Sequence, residues 1–149
     1  MNFWEEISGN KVLIAALLGW VIAQILKFIW VLITEKKIDI SRITGAGGMP
    51  SSHSAFVSSM TTAVGITEGF GSAEFAIAFV LSFIVMYDAS GVRKAAGDQA
   101  KVINDLQEML HTEVPVYLKE LLGHTRLEVI VGCLLGIAIA LFMFFIIKA

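Results

Sequence analysis

In the segment Gly45-Ala-Gly-Gly-Met-Pro-Ser-Ser-His-Ser-Ala55, a glycine-rich loop and a proline are followed by two serines and a histidine that open an apolar helix. The start of a helix offers unpaired backbone N–H groups and the positive end of the helix dipole, both of which favour an anion such as phosphate. A histidine in that first turn can hold a proton or pass it to a phosphate oxygen. Ser51, Ser52 and His53 are therefore predicted to belong to a phosphate site.

More candidate residues occur near the ends of the other apolar runs. His124 immediately precedes the fourth run, and Arg93 and Lys94 follow the third. Lys27 lies within the first run, where a charge is rare and usually functional. Basic side chains near helix ends also extend to the membrane interface without any role in binding, and this alternative stays open for Lys94 and Lys119.

Asp88 and Asp98 each lie five residues from Arg93, one on either side. They are either polar loop residues or groups that orient Arg93 or Lys94. We take both as candidate members of the substrate-binding set, together with the cations that they flank.

The composition is that of an integral membrane protein. Of the 149 residues, 56% are hydrophobic and 16% are charged, and the mean hydropathy is +0.78. A soluble domain of this size rarely has such a composition. The net charge of -2 carries no basic excess, so nucleic acid is not expected as a partner.

Four apolar runs define the expected architecture, because only structures that satisfy their own backbone cross a bilayer. The runs are Val12–Thr34, Ser54–Ile66, Ala73–Tyr87 and Leu127–Ile147. The polar stretch 90–125 has apolar residues at helical spacing. We therefore predict an all-α polytopic membrane helix bundle with about four spans plus an amphipathic helix on the cytoplasmic side, as a single domain over residues 1–149.

Lys and Arg concentrate in two segments, and such segments usually lie in the cytoplasm. Eight of the 11 basic residues lie between runs one and two or between runs three and four. Residues 36–50 and 90–125 are therefore expected in the cytoplasm. With four spans, the two candidate histidines and the candidate cations fall on that same face.

Two motifs resemble those of the type-2 phosphatidic acid phosphatases, which share a fold with the vanadium haloperoxidases. Pro50-Ser-Ser-His53 is similar to the Pro-Ser-Gly-His motif of that family. Gly123-His-Thr-Arg-Leu-Glu-Val-Ile-Val-Gly132 is similar to its last motif. Together with the block Asp88-Ala-Ser-Gly-Val-Arg93, these motifs resemble a small, divergent membrane branch of the superfamily.

The resemblance implies roles for three residues. His124 would be the nucleophile, Glu128 would orient it, and His53 would be the general acid. The implied activity is hydrolysis of a lipid phosphate through a histidine nucleophile. Phosphatidylglycerophosphate is the first substrate candidate, followed by undecaprenyl and phosphatidic species.

Some family motifs are absent, which favours an alternative function. No Lys-x6-Arg-Pro motif occurs, and Tyr117 and Leu118 stand where the family has a Ser-Arg pair. A non-catalytic protein that binds or transports a lipid phosphate would retain the pocket without the chemistry. A structural membrane protein is a second alternative, and haloperoxidase activity is the least favoured.

No metal or other cofactor is expected, because Glu128 has no second carboxylate close in sequence and the histidines are too few for a zinc site. The expected partners are a phosphorylated membrane lipid and the bilayer, and a homo-oligomer is compatible with the sequence. The expected location is the bacterial cytoplasmic membrane, with the site on the cytoplasmic face.

Overall fold

The computed structural model describes residues 2–35, 48–111, 116–120 and 122–146. Over these residues the protein is helical and contains no strand. Six α-helices and a short π-helical turn follow one another in these described ranges. They are α1 (Phe3–Ser8), α2 (Lys11–Glu35), α3 (Ser52–Glu68), α4 (Ala73–Ser90), α5 (Val92–Met109), α6 (Arg126–Leu141) and the π-helical turn Phe142–Ile146.

Local sequence signals determine where these helices begin. Ser51 and Ser72 cap α3 and α4, and each hydroxyl accepts a hydrogen bond from the backbone N–H three residues ahead. Thr125 caps α6 in a capping box with Glu128, in which each side chain accepts from the other residue's N–H. Gly69 follows α3 with φ of 91°, a left-handed conformation that favours glycine.

Helix α3 lies at the centre of the bundle and packs against α2, α4 and α6. Its buried side chains are mostly alanine, serine and threonine, which let the neighbouring backbones approach closely. Gly136 of α6 shows this closeness, since a Cβ atom there would overlap Ser58 Oγ and the Ala55 carbonyl oxygen. Larger residues at these contacts would push the helices apart.

Hydroxyl groups of α3 bridge to each neighbouring helix. Ser59 Oγ donates to the Ala15 carbonyl of α2 at 2.7 Å, and Ser58 Oγ to the Cys133 carbonyl of α6 at 3.0 Å. Thr61 Oγ1 donates to the carbonyl oxygens of Val57 and of Ala78 in α4. Such interhelical bonds are worth about 0.6 kcal/mol each in a membrane, so the three contacts favour one register of the helices.

In the part of the chain that the structure describes, three helical stretches are long and apolar enough to cross a membrane: Lys11–Thr34, Ala73–Met109 and Arg126–Ile146. Helix α3 has 17 residues, about 26 Å at 1.5 Å per residue, and is shielded by the other helices. Together these helices form an all-α membrane bundle with about four spans, as the sequence predicts.

The segment after the third span differs in part from the expectation. Helix α5 continues directly after Gly91 and is amphipathic, as predicted. However, its apolar side chains face outward, and the buried ones are Gly97, Ala100 and Asn104. Residues 116–120 and 122–125, which we call the strap, are not helical and pack beside α5.

Two side-chain amides hold the strap to α5. Asn104 donates to the Leu118 carbonyl oxygen and accepts from the Leu118 N–H, both at 2.9 Å. Gln107 makes the same pair of bonds to Val116, at 3.1 and 2.8 Å. These side chains of α5 thus make the backbone hydrogen bonds that a neighbouring strand would make. They hold the strap in place as it approaches His124.

Candidate active site

The candidate site lies where α3, α5 and α6 begin and α4 ends. The Ser51 N–H donates to the Glu128 carbonyl oxygen at 3.1 Å, which joins the starts of α3 and α6. The His124 N–H donates to the Ala89 carbonyl oxygen at 2.9 Å, which ties the strap to the end of α4. These backbone bonds bring together sequence motifs about 70 residues apart along the chain.

His124 and Glu128 form a hydrogen-bonded pair. The distance between His124 Nδ1 and Glu128 Oε2 is 3.2 Å, and the same carboxylate oxygen accepts the Thr125 N–H at 2.9 Å. His124 itself precedes the helix cap Thr125, so the two residues do not meet as neighbours on one face of a helix. The pair forms because the capping box turns the Glu128 side chain back toward the start of α6.

The other ring nitrogen of His124, Nε2, makes no hydrogen bond to a described residue. The residue is 2% exposed, and the backbone of Gly48 lies close enough to the ring to raise its pKa. Buried polar atoms are normally satisfied, and an exception requires an explanation. With Nδ1–H donated to the carboxylate, Nε2 carries a lone pair that a bound group would engage.

The surroundings of His124 favour its neutral form. Burial lowers the pKa of the imidazole below its ordinary value, and the Glu128 carboxylate partly offsets this by raising it. The nearby Lys27 ammonium lowers the pKa further. A neutral imidazole has the free lone pair that nucleophilic attack needs.

His53 lies beside His124 in the first turn of α3. The ring centroids are 6.2 Å apart and the ring planes are inclined by 64°. Unlike His124, His53 is exposed, so it can exchange protons with water or with a leaving group. The structure therefore brings together the three residues to which the resemblance gave catalytic roles.

The candidate cations fall into two groups. Lys27 is 2% exposed, close enough to both histidines and Glu128 for electrostatic interaction, and no described residue forms a hydrogen bond or ion pair with it. Arg93 and Lys94 have side chains 51% and 46% exposed. A buried ammonium without a hydrogen-bonding partner among the described residues is costly, and a bound anion would offset this cost.

Each exposed cation is paired with one of the candidate acids. Arg93 Nε donates to Asp88 Oδ2 at 2.6 Å, and Lys94 Nζ lies 3.2 Å from Asp98 Oδ2. These are the contacts that a positioning role for the two acids requires. Arg93 also lies near His53, and Lys94 lines a cavity with His124.

The two serines are more enclosed than a direct phosphate contact suggests. The Ser51 N–H is engaged by Glu128, and the Ser51 hydroxyl accepts the Ser54 N–H and hydroxyl within the helix cap. The expectation that the Ser51 N–H binds phosphate is therefore wrong. Ser52 is also buried and occupies the first position of α3.

A cavity of about 210 Å³ lies on the polar side of His124. It is lined by Gly48, Lys94, Asp98, Glu120, Gly123, His124, Thr125 and Glu128. Glu120, which the sequence reasoning missed, is held there by Asn104 at 2.8 Å. Glu128 thus has carboxylate neighbours after all, although the described residues contain no group of three ligands that could hold a metal.

Fold and site together define an integral membrane protein with a buried histidine–glutamate pair, a second histidine and several cations at one end of its helices. The chain belongs to the Divergent PAP2 family, whose model matches residues 8–139. It is 39% identical to the uncharacterized membrane protein YuiD of Bacillus subtilis (strain 168), over 91% of this chain and 95% of that protein. No solved structure matches it.

Proposed function

We propose that this protein is a metal-independent phosphatase that hydrolyses the phosphomonoester of a membrane lipid. The observation that carries the proposal is the unpartnered Nε2 of His124, buried and backed by Glu128 on the opposite ring nitrogen. This is the arrangement of an activated nucleophile with a third group that orients it. The proximity of His53 supplies the acid that such a reaction also needs.

The reaction proceeds in two displacements. The lone pair of His124 Nε2 attacks phosphorus while the ester P–O bond breaks, and protonated His53 gives its proton to the departing alkoxide. The products of this half are the lipid alcohol and a phosphohistidine. A water molecule, deprotonated by His53, then attacks phosphorus, the P–N bond breaks, and inorganic phosphate leaves with His124 restored.

Charge stabilisation comes from the cations around the histidines. Lys27 is the buried one; among the described residues no carboxylate forms an ion pair with it, and Glu128 acts on it only electrostatically. Arg93 and Lys94 approach from the exposed side, oriented by Asp88 and Asp98. Preorganised donors of this kind each contribute roughly 10²- to 10³-fold to rate.

The substrate class follows from the position of the site. The histidines lie at the ends of membrane-spanning helices, so a phosphate bound there belongs to a molecule whose other end is in the bilayer. Phosphatidylglycerophosphate is our first candidate. We place the protein in the bacterial cytoplasmic membrane with the site on the cytoplasmic face, because the flanking segments carry most of its basic residues.

A second candidate function is lipid-phosphate binding without hydrolysis. The pairing of both exposed cations with carboxylates favours it, because a cation already in an ion pair attracts a phosphate less strongly. The missing Lys-x6-Arg-Pro motif favours it as well. Binding alone, however, requires neither the Glu128 partner nor the second histidine.

Phosphate release from a panel of lipid phosphates by the purified protein in detergent tests the proposal. We expect turnover by the wild type, inhibition by orthovanadate, and an acid-labile phosphoprotein that disappears in His124→Ala. His111→Ala is the control, because His111 is exposed and lies outside the site. Lipid-phosphate binding without phosphate release or phosphoprotein, unchanged in His124→Ala, would establish the binding function instead.

A further inference from the structure

Helices α4 and α6 both pack on α3 and leave an apolar groove between them. Two cavities of about 620 and 370 Å³ form this groove. They share Phe83, Met86 and Cys133, so one cavity leads into the other. Each volume lies in the range of small-molecule sites.

The groove runs along nearly the whole length of α6. It begins at Ser90, Gly91 and Arg126 and ends near Phe70 and Leu141. From Arg126 to Leu141 the helix rises by about 22 Å at 1.5 Å per residue. The groove is therefore long and narrow, and it follows the direction of the spans.

The surroundings select a hydrocarbon as occupant. Both walls belong to helical stretches that are apolar enough to cross a membrane, so the groove opens toward lipid and not toward water. One extended hydrocarbon chain matches this long, narrow shape.

The end of the groove at Ser90, Gly91 and Arg126 adjoins the candidate active site. Ser90 and Gly91 directly follow Ala89, whose carbonyl oxygen holds the His124 N–H. Arg126, two residues after His124, contributes a cationic side chain to the mouth of the groove. A chain that occupies the groove thus has its headgroup beside the two histidines, and the cation attracts an anionic headgroup.

We propose that the groove between α4 and α6 holds one hydrocarbon chain of a phosphate-bearing membrane lipid and thereby aligns its phosphate with His124. This proposal builds on the phosphatase function and assigns the part of the site that makes the enzyme specific for lipids. Free phosphate esters have no group to place in the groove. They reach the histidines without this alignment.

Photo-crosslinking tests occupancy without any need for turnover. In the test variant, a photoreactive benzoylphenylalanine replaces Leu134, which lines the groove and is 62% exposed. In the control variant it replaces Ile84, which is 58% exposed and lies outside both cavities. The protein is placed in phosphatidylcholine vesicles with radiolabelled dioleoyl phosphatidic acid or dioleoylglycerol. We expect phosphatidic acid to label the Leu134 variant severalfold more than the Ile84 variant, and more than dioleoylglycerol does.

Equal labelling at the two positions, or by the two lipids, would show ordinary surrounding lipid and overturn the proposal. A protein dimer crosslinked through the Leu134 position would assign the groove to a second copy and also overturn it. If phosphatidic acid labels the Leu134 position selectively but the protein releases phosphate from no lipid, the groove proposal stands and only the phosphatase function is refuted.

A kinetic experiment adds a second criterion. Leu134→Trp fills the groove and should lower kcat/KM for dioleoyl phosphatidic acid roughly tenfold or more, because the phosphate loses its alignment. The same variant should leave the hydrolysis of glycerol phosphate unchanged, and Ile84→Trp should change neither reaction. Equal losses for both substrates in Leu134→Trp would show a general disturbance of the fold and contradict the proposal.

Discussion

Replacement of Lys27 by methionine should separate function from stability. Methionine retains the length and the apolar stem of lysine but removes the ammonium group. Lys27 is 2% exposed and forms no hydrogen bond or ion pair with a described residue, so only the more distant Glu128 carboxylate offsets the cost of its buried charge. If that charge serves a bound phosphate, its removal harms catalysis and leaves the fold unharmed.

The expected magnitudes follow from this position. Loss of one preorganised donor to the transition state should lower kcat/KM on the order of 10²- to 10³-fold. The free energy of unfolding should stay constant or rise, because removal of an unpaired buried charge relieves desolvation. A gain of about 1 kcal/mol corresponds to a Tm increase of roughly 2–4 °C or more.

Two measurements on one preparation provide the assay. Phosphate release gives kcat/KM, and a thiol-reactive dye that reports exposure of Cys133 during heating gives the Tm; Cys133 is the single cysteine of the chain. Lys101→Met serves as the control, because Lys101 is exposed on α5. This control should change neither quantity appreciably.

Two outcomes would refute the reasoning. If Lys27→Met lowers the free energy of unfolding by about 3–5 kcal/mol, Lys27 is one partner of a buried ion pair and acts structurally. If the variant keeps more than about a tenth of the wild-type rate, Lys27 is not a preorganised donor for the phosphate. In either case the phosphate charge must be met by Arg93 and Lys94.

Further predictions concern pH, the exposed arginine and topology. Because burial lowers the pKa of His124, the acidic limb of the pH profile of kcat/KM should have its midpoint below about pH 6.5, and Glu128→Gln should move this midpoint to lower pH by removal of the group that raises that pKa. Arg93→Lys should lose on the order of 10²-fold in rate, since an ammonium cannot reproduce a bidentate fork; full activity would exclude this role. In a cysteine-free background, an impermeant thiol reagent added to intact bacteria should label a cysteine at Glu68 and not one at Glu108; the reverse pattern would invert the topology.

The helices could be predicted because their causes are local, whereas the pairing of His124 with Glu128 was implied by the family resemblance. Apolar runs of sufficient length define spans in any bilayer. The Thr125-x-x-Glu128 spacing is a capping box, and it is this box that carries the carboxylate to His124. For the same reason, the predicted helix boundaries near His53 agree with the cap at Ser51.

The rest of the site depends on contacts between distant segments. Nothing in the sequence around Glu120 indicates that Asn104, 16 residues earlier, holds it against the cavity. The hydrogen bond from the Ser51 N–H to the Glu128 carbonyl oxygen likewise follows only from the packing of α3 on α6. A pattern of helical spacing concerns a single helix, so it predicts neither of these contacts between distant segments.

Glu128 connects the fold to the proposed chemistry through three contacts. Its carboxylate accepts hydrogen bonds from the Thr125 N–H and from His124, and its carbonyl oxygen accepts the Ser51 N–H. The first two fix His124 relative to α6, and the third fixes the start of α3, which bears His53. Since one residue sets both positions, the 6.2 Å separation of the two rings is a property of the packed bundle. A change in the α3–α6 contact should therefore alter the site even when every site residue is retained.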